Sequence, residues 1–299
     1  GEVSNEADRA KLLESIAECC VQQQHYHFAA KKYTQAGNKL DAMRSLIKSG
    51  DTGRIVFFAT AARNKEIYIL AANYLQTLNW KEDGDLMKQI ELFYNKANAY
   101  EHLSSFYEAC AQVEIDDYRD YNKAADALNE ASRCLTKALQ NYPRNEEYLT
   151  EKQAELHKAI GNIKEFIQIR NVYELDPIDA IRQLEALADD KQACKNIRLG
   201  DIYAVMILYN VHKANYRKAY SLIQQLKERE PQIELSRYIN KEIQNIISHE
   251  LKLLGIIDDE KIGSESGEEQ RFDDDEVDYS YAMKRNFQRD DKIFDENDF

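Results

Sequence analysis

A four-position pattern constrains this chain more than any other feature: aromatic, small, aromatic, small, at spacings of three, four and three. In VQQQHYHFAAKKYTQAGNKLDAMRSLIKSGDTG (21–53) it is carried by Tyr26, Ala29, Tyr33 and Ala36. Residues three and four apart are neighbours on a turn of 3.6 residues, so all four lie on one helical face. The alanines let a second helix approach closely, and the tyrosine rings fill the flanking gaps. Gly37-Asn38 then reads as a left-handed stop. A second helix is expected with Leu40, Met43 and Ile47 inward, stopping at Gly50, with Asp51 as cap of the next. Such a hairpin cannot bury its apolar face alone.

The face recurs. Tyr121, Ala124, Leu128 and Ala131 repeat it, as do Tyr216, Ala219, Ile223 and Leu226, and Tyr100, Leu103, Tyr107 and Cys110 form a related copy. Short polar turns (QQQH, DYRD, KAN) precede the three main tyrosines. This is the second-helix signature of tetratricopeptide-type repeats, whose unit is about 34 residues. The main copies are 95 residues apart, not a whole number of units, so the array is expected to be irregular. These motif positions are read as packing residues that hold the stack and touch no partner.

Only 3 prolines and 10 glycines occur in 299 residues, and no turn dipeptide with alternating flanks supports a hairpin of strands. The expected fold class is all-α: an irregular tetratricopeptide-type α-solenoid over 1–255, the last part of a longer one, followed by an acidic tail over 256–299. RIVFFATAARNKEIYILAANYLQTLNW, after Gly53, is apolar nearly all round and is expected deep in the stack. Pairs are expected over 85–113 and from Asp201 to Pro231. EIDDYRDY reads as a turn and Pro143 as a break. A long helix follows over 145–172, a restart at Asp176-Pro177, and a last helix over 235–254.

The net charge of −13 is uneven. Residues 256–299 hold 16 acidic and 6 basic side chains, leaving the body at 37 and 34. A nearly balanced body does not hold a phosphate backbone by bulk electrostatics, so nucleic acid is not an expected partner. Phe272, Tyr279, Tyr281 and Phe287 punctuate the acidic tail. It reads either as a solvating tail or as short aromatic segments that dock on the solenoid or a partner, with those four as anchors.

Five cysteines without framework spacing and no Asn-x-Ser/Thr sequon fit a reducing compartment. No apolar run approaches the length of a spanning helix, and the polar first residues do not read as a signal peptide. No phosphate-cradling loop, metalloprotease motif or nucleophile elbow occurs. Cys19, Cys20, His25 and His27 point in different directions on a helix and a turn, which disfavours a metal site. Asp51-Thr52-Gly53 lies between helices and reads as a cap. The chain is expected to be non-enzymatic, with no cofactor and no metal.

KKYTQAGNKLDAMRSLIKSGDTGRIVFFATAARNKEIYILAANYLQTLNW (31–80), SSFYEACAQVEIDDYRDYNKAADALNEASRCLTKA (104–138) and IRLGDIYAVMILYNVHKANYRKAYSLI (197–223) resemble, in the same order, the C-terminal part of the intraflagellar transport protein 140 family. These are large subunits of intraflagellar transport complex A. The resemblance covers roughly 20–230. It implies two N-terminal β-propellers and a long tetratricopeptide solenoid in the whole protein, of which this chain would be the last part. It also implies a scaffold role on motor-driven trains in cilia, serving retrograde transport and, with tubby-family adaptors, entry of membrane receptors. The implied partners are the other complex A subunits, with adaptor and receptor cargo indirect. The implied locations are the axoneme and ciliary base, the cytoplasm and the cytoskeleton. The alternatives are a subunit of a cytosolic vesicle coat and a stand-alone tetratricopeptide adaptor.

Overall fold

The computed structural model describes residues 2–141 and 145–256, and among these it contains α-helices and short helical turns with no strand. The helices are α1 (Glu2–Gln22), α2 (Tyr26–Gln35), α3 (Lys39–Ser49), α4 (Thr52–Ala62), α5 (Lys65–Leu75), α6 (Gly84–Ala97) and α7 (Tyr100–Val113). There follow α8 (Tyr121–Asn141), α9 (Glu146–Leu175), α10 (Pro177–Asp189), α11 (Leu199–His212), α12 (Tyr216–Arg229) and α13 (Lys241–Leu253). The fold is a tetratricopeptide-type α-solenoid. Pro143 and the tail from 257 onward lie outside the described residues.

Helix boundaries follow from caps written in the sequence. Asn38, Asp51, Asn64, Asp83, Asp176, Asn215 and Asn240 each accept a backbone N–H of the first turn of the helix they precede. Each such cap stabilises its helix by about 1 kcal/mol. Pro177 occupies the first position of α10, where a missing N–H costs nothing. Gly37 closes α2 at φ +85°, with its N–H on the Thr34 carbonyl and the Asn38 N–H on that of Tyr33. Gly50 closes α3 at φ +70°.

The chain divides into two compact units. The first comprises Gly1–Cys110 and Ala127–Ala154. Within it α1 packs on α2, α2 on α3, α3 on α4 and α5, and α5 on α6. Ala17, Ala29, Tyr33 and Ala42 meet in one buried cluster, with Cys20, Val21 and Phe58 against it. Three alanines at the contact allow the close approach, and a larger residue there would force backbone shifts. On α3 the buried face is Ala42, Met43, Ser45 and Leu46, while Leu40 and Ile47 are only half-buried. The face is rotated from the expected one, and α3 packs on α2, α4 and α5.

The second unit takes Ala111–Asp126 and the chain from Glu155 on. Here α11 packs against α10 and α12, and α12 against α13. Nearly every residue of α11 is buried, from Leu199 through Val211, as an all-round apolar helix requires. The expectation of the same for α4 is corrected. Only Ile55 and Ala59 of that helix are buried, and Phe57 is 75% exposed. Composition marked both helices alike, but Arg54, Phe57, Thr60 and Ala61 of α4 face solvent. α5 does bury Ile67, Tyr68, Ala71, Ala72 and Leu75.

Two further boundaries differ from expectation. Residues Glu114–Tyr118 are not an open turn but a π-helical continuation of α7. The last helix starts at Lys241, after a short 3-10 turn at Leu235–Arg237.

Candidate functional site

The four tyrosines that open the recurring pattern occupy one structural position. Tyr26, Tyr100, Tyr121 and Tyr216 are the first residues of α2, α7, α8 and α12. Two residues before each stands a non-glycine residue in the left-handed region: Gln24 (φ 62°), Asn98 (56°), Arg119 (58°) and Ala214 (54°). The residue between donates its N–H back into the preceding helix, from His25 to Cys20, Ala99 to Tyr94, Asp120 to Glu114 and Asn215 to Asn210. Its own carbonyl accepts from the small residue or leucine of the pattern, Ala29, Leu103, Ala124 and Ala219. Each pattern therefore begins at a helix stop and restart; the bond back into the preceding helix spans five residues at three of the turns and six at Asp120, where a π-helical segment precedes it.

Burial along the pattern is graded. Ala29, Ala124, Ala131, Ala219 and Leu226 are fully buried, and Tyr33, Tyr121, Leu128 and Ile223 nearly so. Tyr26, Ala36 and Tyr216 are half-buried. Leu103 and Cys110 are buried and Tyr107 half-buried. Phe272, Tyr279, Tyr281 and Phe287 lie outside the described residues.

At one of these turns, within the second unit, the pattern tyrosine enters an ionic cluster built around the buried Asp201. The Asp201 side chain, 4% exposed, accepts Arg119 Nε at 2.5 Å and the Tyr121 hydroxyl at 2.6 Å. Arg119 also donates to the Arg237 carbonyl at 3.1 Å, and its guanidinium lies 5.3 Å from the Tyr238 ring centroid. Arg198 donates from two nitrogens to Asp116 Oδ1, at 2.8 and 2.6 Å, and from a third to the Tyr238 hydroxyl at 2.9 Å. The Arg198 backbone N–H donates to the Tyr121 hydroxyl at 3.2 Å. The Tyr238 ring lies flat against Gly200, where an added Cβ would meet ring carbons at 2.6 Å.

The electrostatics hold these groups paired in one joint. Burial, then the Asp201 charge, pushes the Tyr121 phenol well above its ordinary range, so it stays a hydrogen-bond donor. Burial works against the Asp116 carboxylate, but hydrogen bonds from Gln112 and Arg198, with the charges of Arg198 and Arg237, hold it below the ordinary range. A charge buried at the foot of an apolar helix must be paired. Here the pairing ties the segment 116–121 to 198–201 and 237–238.

Sequence reasoning missed this cluster. From the sequence Asp201 is the expected opening residue of a helix, whereas α11 begins at Leu199 and Asp201 sits inside its first turn, buried. The signal was present: an aspartate at the head of LGDIYAVMILYNV has no solvent to point into. Its partner Arg119 lies 82 positions away, which no local pattern reveals.

Among the described residues, the first unit holds no comparable ionic cluster. The Tyr107 hydroxyl donates to Glu91 Oε1 at 2.5 Å, and Lys152 Nζ lies 3.1 Å from Glu108. Burial pushes the Cys134 thiol up to about 11, leaving it neutral and a poor nucleophile. Among the described residues no group of three or more His, Cys, Asp or Glu is placed to hold a metal ion, and no helix is long and apolar enough to cross a membrane. Cys19 is exposed and Cys20 half-buried.

Repeated hairpins, recurring stop-and-restart turns and a paired polar joint define a helical-repeat scaffold of the tetratricopeptide class, a class of protein-interaction modules. Residues 1–93 match the family model of the tetratricopeptide domain shared by intraflagellar transport proteins 140 and 172. Residues 101–227 match the model of the C-terminal tetratricopeptide domain of intraflagellar transport protein 140. The chain belongs to this family and carries its C-terminal tetratricopeptide-repeat region. Membership implies association with other intraflagellar transport proteins and a cilium-related location.

Proposed function

We propose that the chain acts as a non-enzymatic scaffold subunit of intraflagellar transport complex A, through protein–protein association, in retrograde ciliary transport and in the entry of receptors and other cargo into cilia. The observation that supports this reading is the succession of two matched domains of one family along residues 1–227. Polar side chains at the buried joint pair with one another, which suits a shape-holding part better than a substrate site. In this reading the solenoid occupies 1–255, and the tail over 256–299 supplies contacts through Phe272, Tyr279, Tyr281 and Phe287. The motif residues, from Tyr26 to Leu226, hold the repeats. Partners are the other complex A subunits, with tubby-family adaptors and membrane receptors reached indirectly. The sites of action are the axoneme and the ciliary base.

Affinity purification of the 299-residue chain from a ciliated cell, with and without 256–299, tests the proposal. Co-elution of complex A subunits, lost on removal of the tail, is the expected result. Retention of those subunits without the tail would refute the role given to the four aromatics. Recovery of vesicle-coat subunits or chaperones in their place would overturn the ciliary assignment and favour a coat subunit or an adaptor.

A further inference from the structure

The turn that delivers Arg119 and Tyr121 to Asp201 contains a carboxyl group with one buried, unpartnered oxygen. Glu114 opens the π-helical segment Glu114–Tyr118, and its main-chain carbonyl closes that segment by accepting the N–H groups of both Arg119 and Asp120. Its side-chain Oε2 is buried and has no hydrogen-bond partner. An ionised oxygen in that position bears an unrelieved desolvation cost, whereas a neutral carboxyl bears much less of one. The charged groups that act on it are Lys123, from α8, and Asp120. The Asp120 carboxylate lies 3.6 Å from the Lys123 ammonium and also caps α8 by accepting the Lys123 N–H at 2.9 Å. The cation that could hold Glu114 ionised is thus shared with a second carboxylate.

We propose that Glu114 is a proton-holding carboxyl, so that formation of the π-helical turn, and with it the seating of Arg119 and Tyr121 on Asp201, is coupled to pH. Burial raises the carboxyl above its ordinary value, Lys123 opposes this, and Asp120 adds to it. A carboxyl raised in the folded turn binds its proton more tightly there than in the opened turn. The turn is therefore favoured as pH falls toward the raised value and weakened once Glu114 ionises above it. The neighbouring Asp116 behaves in the opposite sense, so the two carboxyls bracket the pH range in which the joint is held best.

Carbon-detected titration of the glutamate carboxyls by NMR, on the 299-residue chain, tests this directly. Amide protection factors for Arg119 and Asp120 would be measured alongside, in the unsubstituted chain and in Glu114→Gln. The Glu114 carboxyl is expected to titrate above the range of the exposed glutamates. Protection of the two amides should fall on ionisation by a factor of about three for each half-unit of that displacement, and the glutamine variant should not show this fall. Titration of Glu114 among the exposed glutamates overturns the proposal, and that reading needs no variant to fold. An identical fall in protection in Glu114→Gln overturns it as well.

Discussion

Removing Arg119 is expected to damage the second unit more than removing Arg119 and the Asp201 charge together. Asp201 is buried and holds two donors, Arg119 Nε at 2.5 Å and the Tyr121 hydroxyl at 2.6 Å. Arg119→Met keeps most of the aliphatic stem but leaves the carboxylate with one neutral donor and no cation. Deleting one partner of a buried ion pair costs roughly 3–5 kcal/mol. The Arg119 side chain is 28% exposed, so water can reach part of the vacated space and the lower end, about 3 kcal/mol, is expected. Asp201→Asn alone leaves an amide oxygen to accept from Tyr121 and a guanidinium still stacked on Tyr238, for a loss of about 1–2 kcal/mol. In the double variant no charge is stranded, and the loss should stay near about 2 kcal/mol. The pair is then coupled by roughly 2 kcal/mol or more, far from additive.

Because the chain has two compact units, a single global unfolding curve would mix their transitions. Amide exchange of the buried positions of α11, from Ile202 to Val211, reads the second unit locally. Single and double variants, measured at neutral pH in the same buffer, complete the cycle. Additive losses within about 0.5 kcal/mol, or an Arg119→Met cost below about 1 kcal/mol, would show that Asp201 does not depend on the guanidinium.

Three other substitutions probe the same unit. Gly200→Ala drives a methyl into a Tyr238 ring fixed at its hydroxyl by Arg198 and on one face by Arg119. It should cost about 1–3 kcal/mol, and a smaller residue at 238 should recover part of that loss in the amide exchange of α11. Ala214→Gly relieves an alanine at φ 54° on an exposed turn. A gain of about 0.5–1 kcal/mol is expected, since the left-handed penalty exceeds the entropy cost of glycine, and lower amide protection in α11 would contradict this. Asp116 is depressed in the folded chain, so its pairing with Arg198 contributes above the unfolded aspartate value and is lost as pH falls through the folded one. The side chains are 34% and 26% exposed, which limits the effect to about 1 kcal/mol; Asp116→Asn should flatten the acid limb of a plot of α11 amide protection against pH.

What was legible in the sequence is what local physics decides. Asn and Asp caps, Pro177 and the left-handed glycines at 37 and 50 fix helix ends through contacts within a few residues, and these ends lie where the residues indicated. The aromatic–small periodicity likewise marked Ala29, Ala124 and Ala219, which are fully buried. The limits appeared where burial depends on what lies on the far side of a helix. RIVFFATAA and DIYAVMILY have the same apolar character, yet α4 leaves Phe57 in solvent while α11 is enclosed. Neighbours distant in sequence make that difference. The Arg119–Asp201 and Arg198–Asp116 pairs were hidden for the same reason.

The irregular spacing of the tyrosines gives the ionic joint a physical rationale. Tyr100 and Tyr121 are separated by 21 residues, so α7 begins at one stop-and-restart turn and leads into the next through the π-helical segment. A regular two-helix repeat of about 34 residues has no place for a second such turn so soon. Apolar repeat residues specify a face but tolerate sliding and rotation of a helix along it. At a turn outside the repeat period, shape alone is therefore a weak determinant of register. Directional contacts are a strong one: Arg119 Nε meets one carboxylate oxygen of Asp201 and the Tyr121 hydroxyl meets the other, which ties the start of α8 to α11. The other three turns, which lead into α2, α7 and α12, place no arginine at the left-handed position. The joint thus stands at the turn that follows a π-helical segment, where an apolar face gives the least guidance.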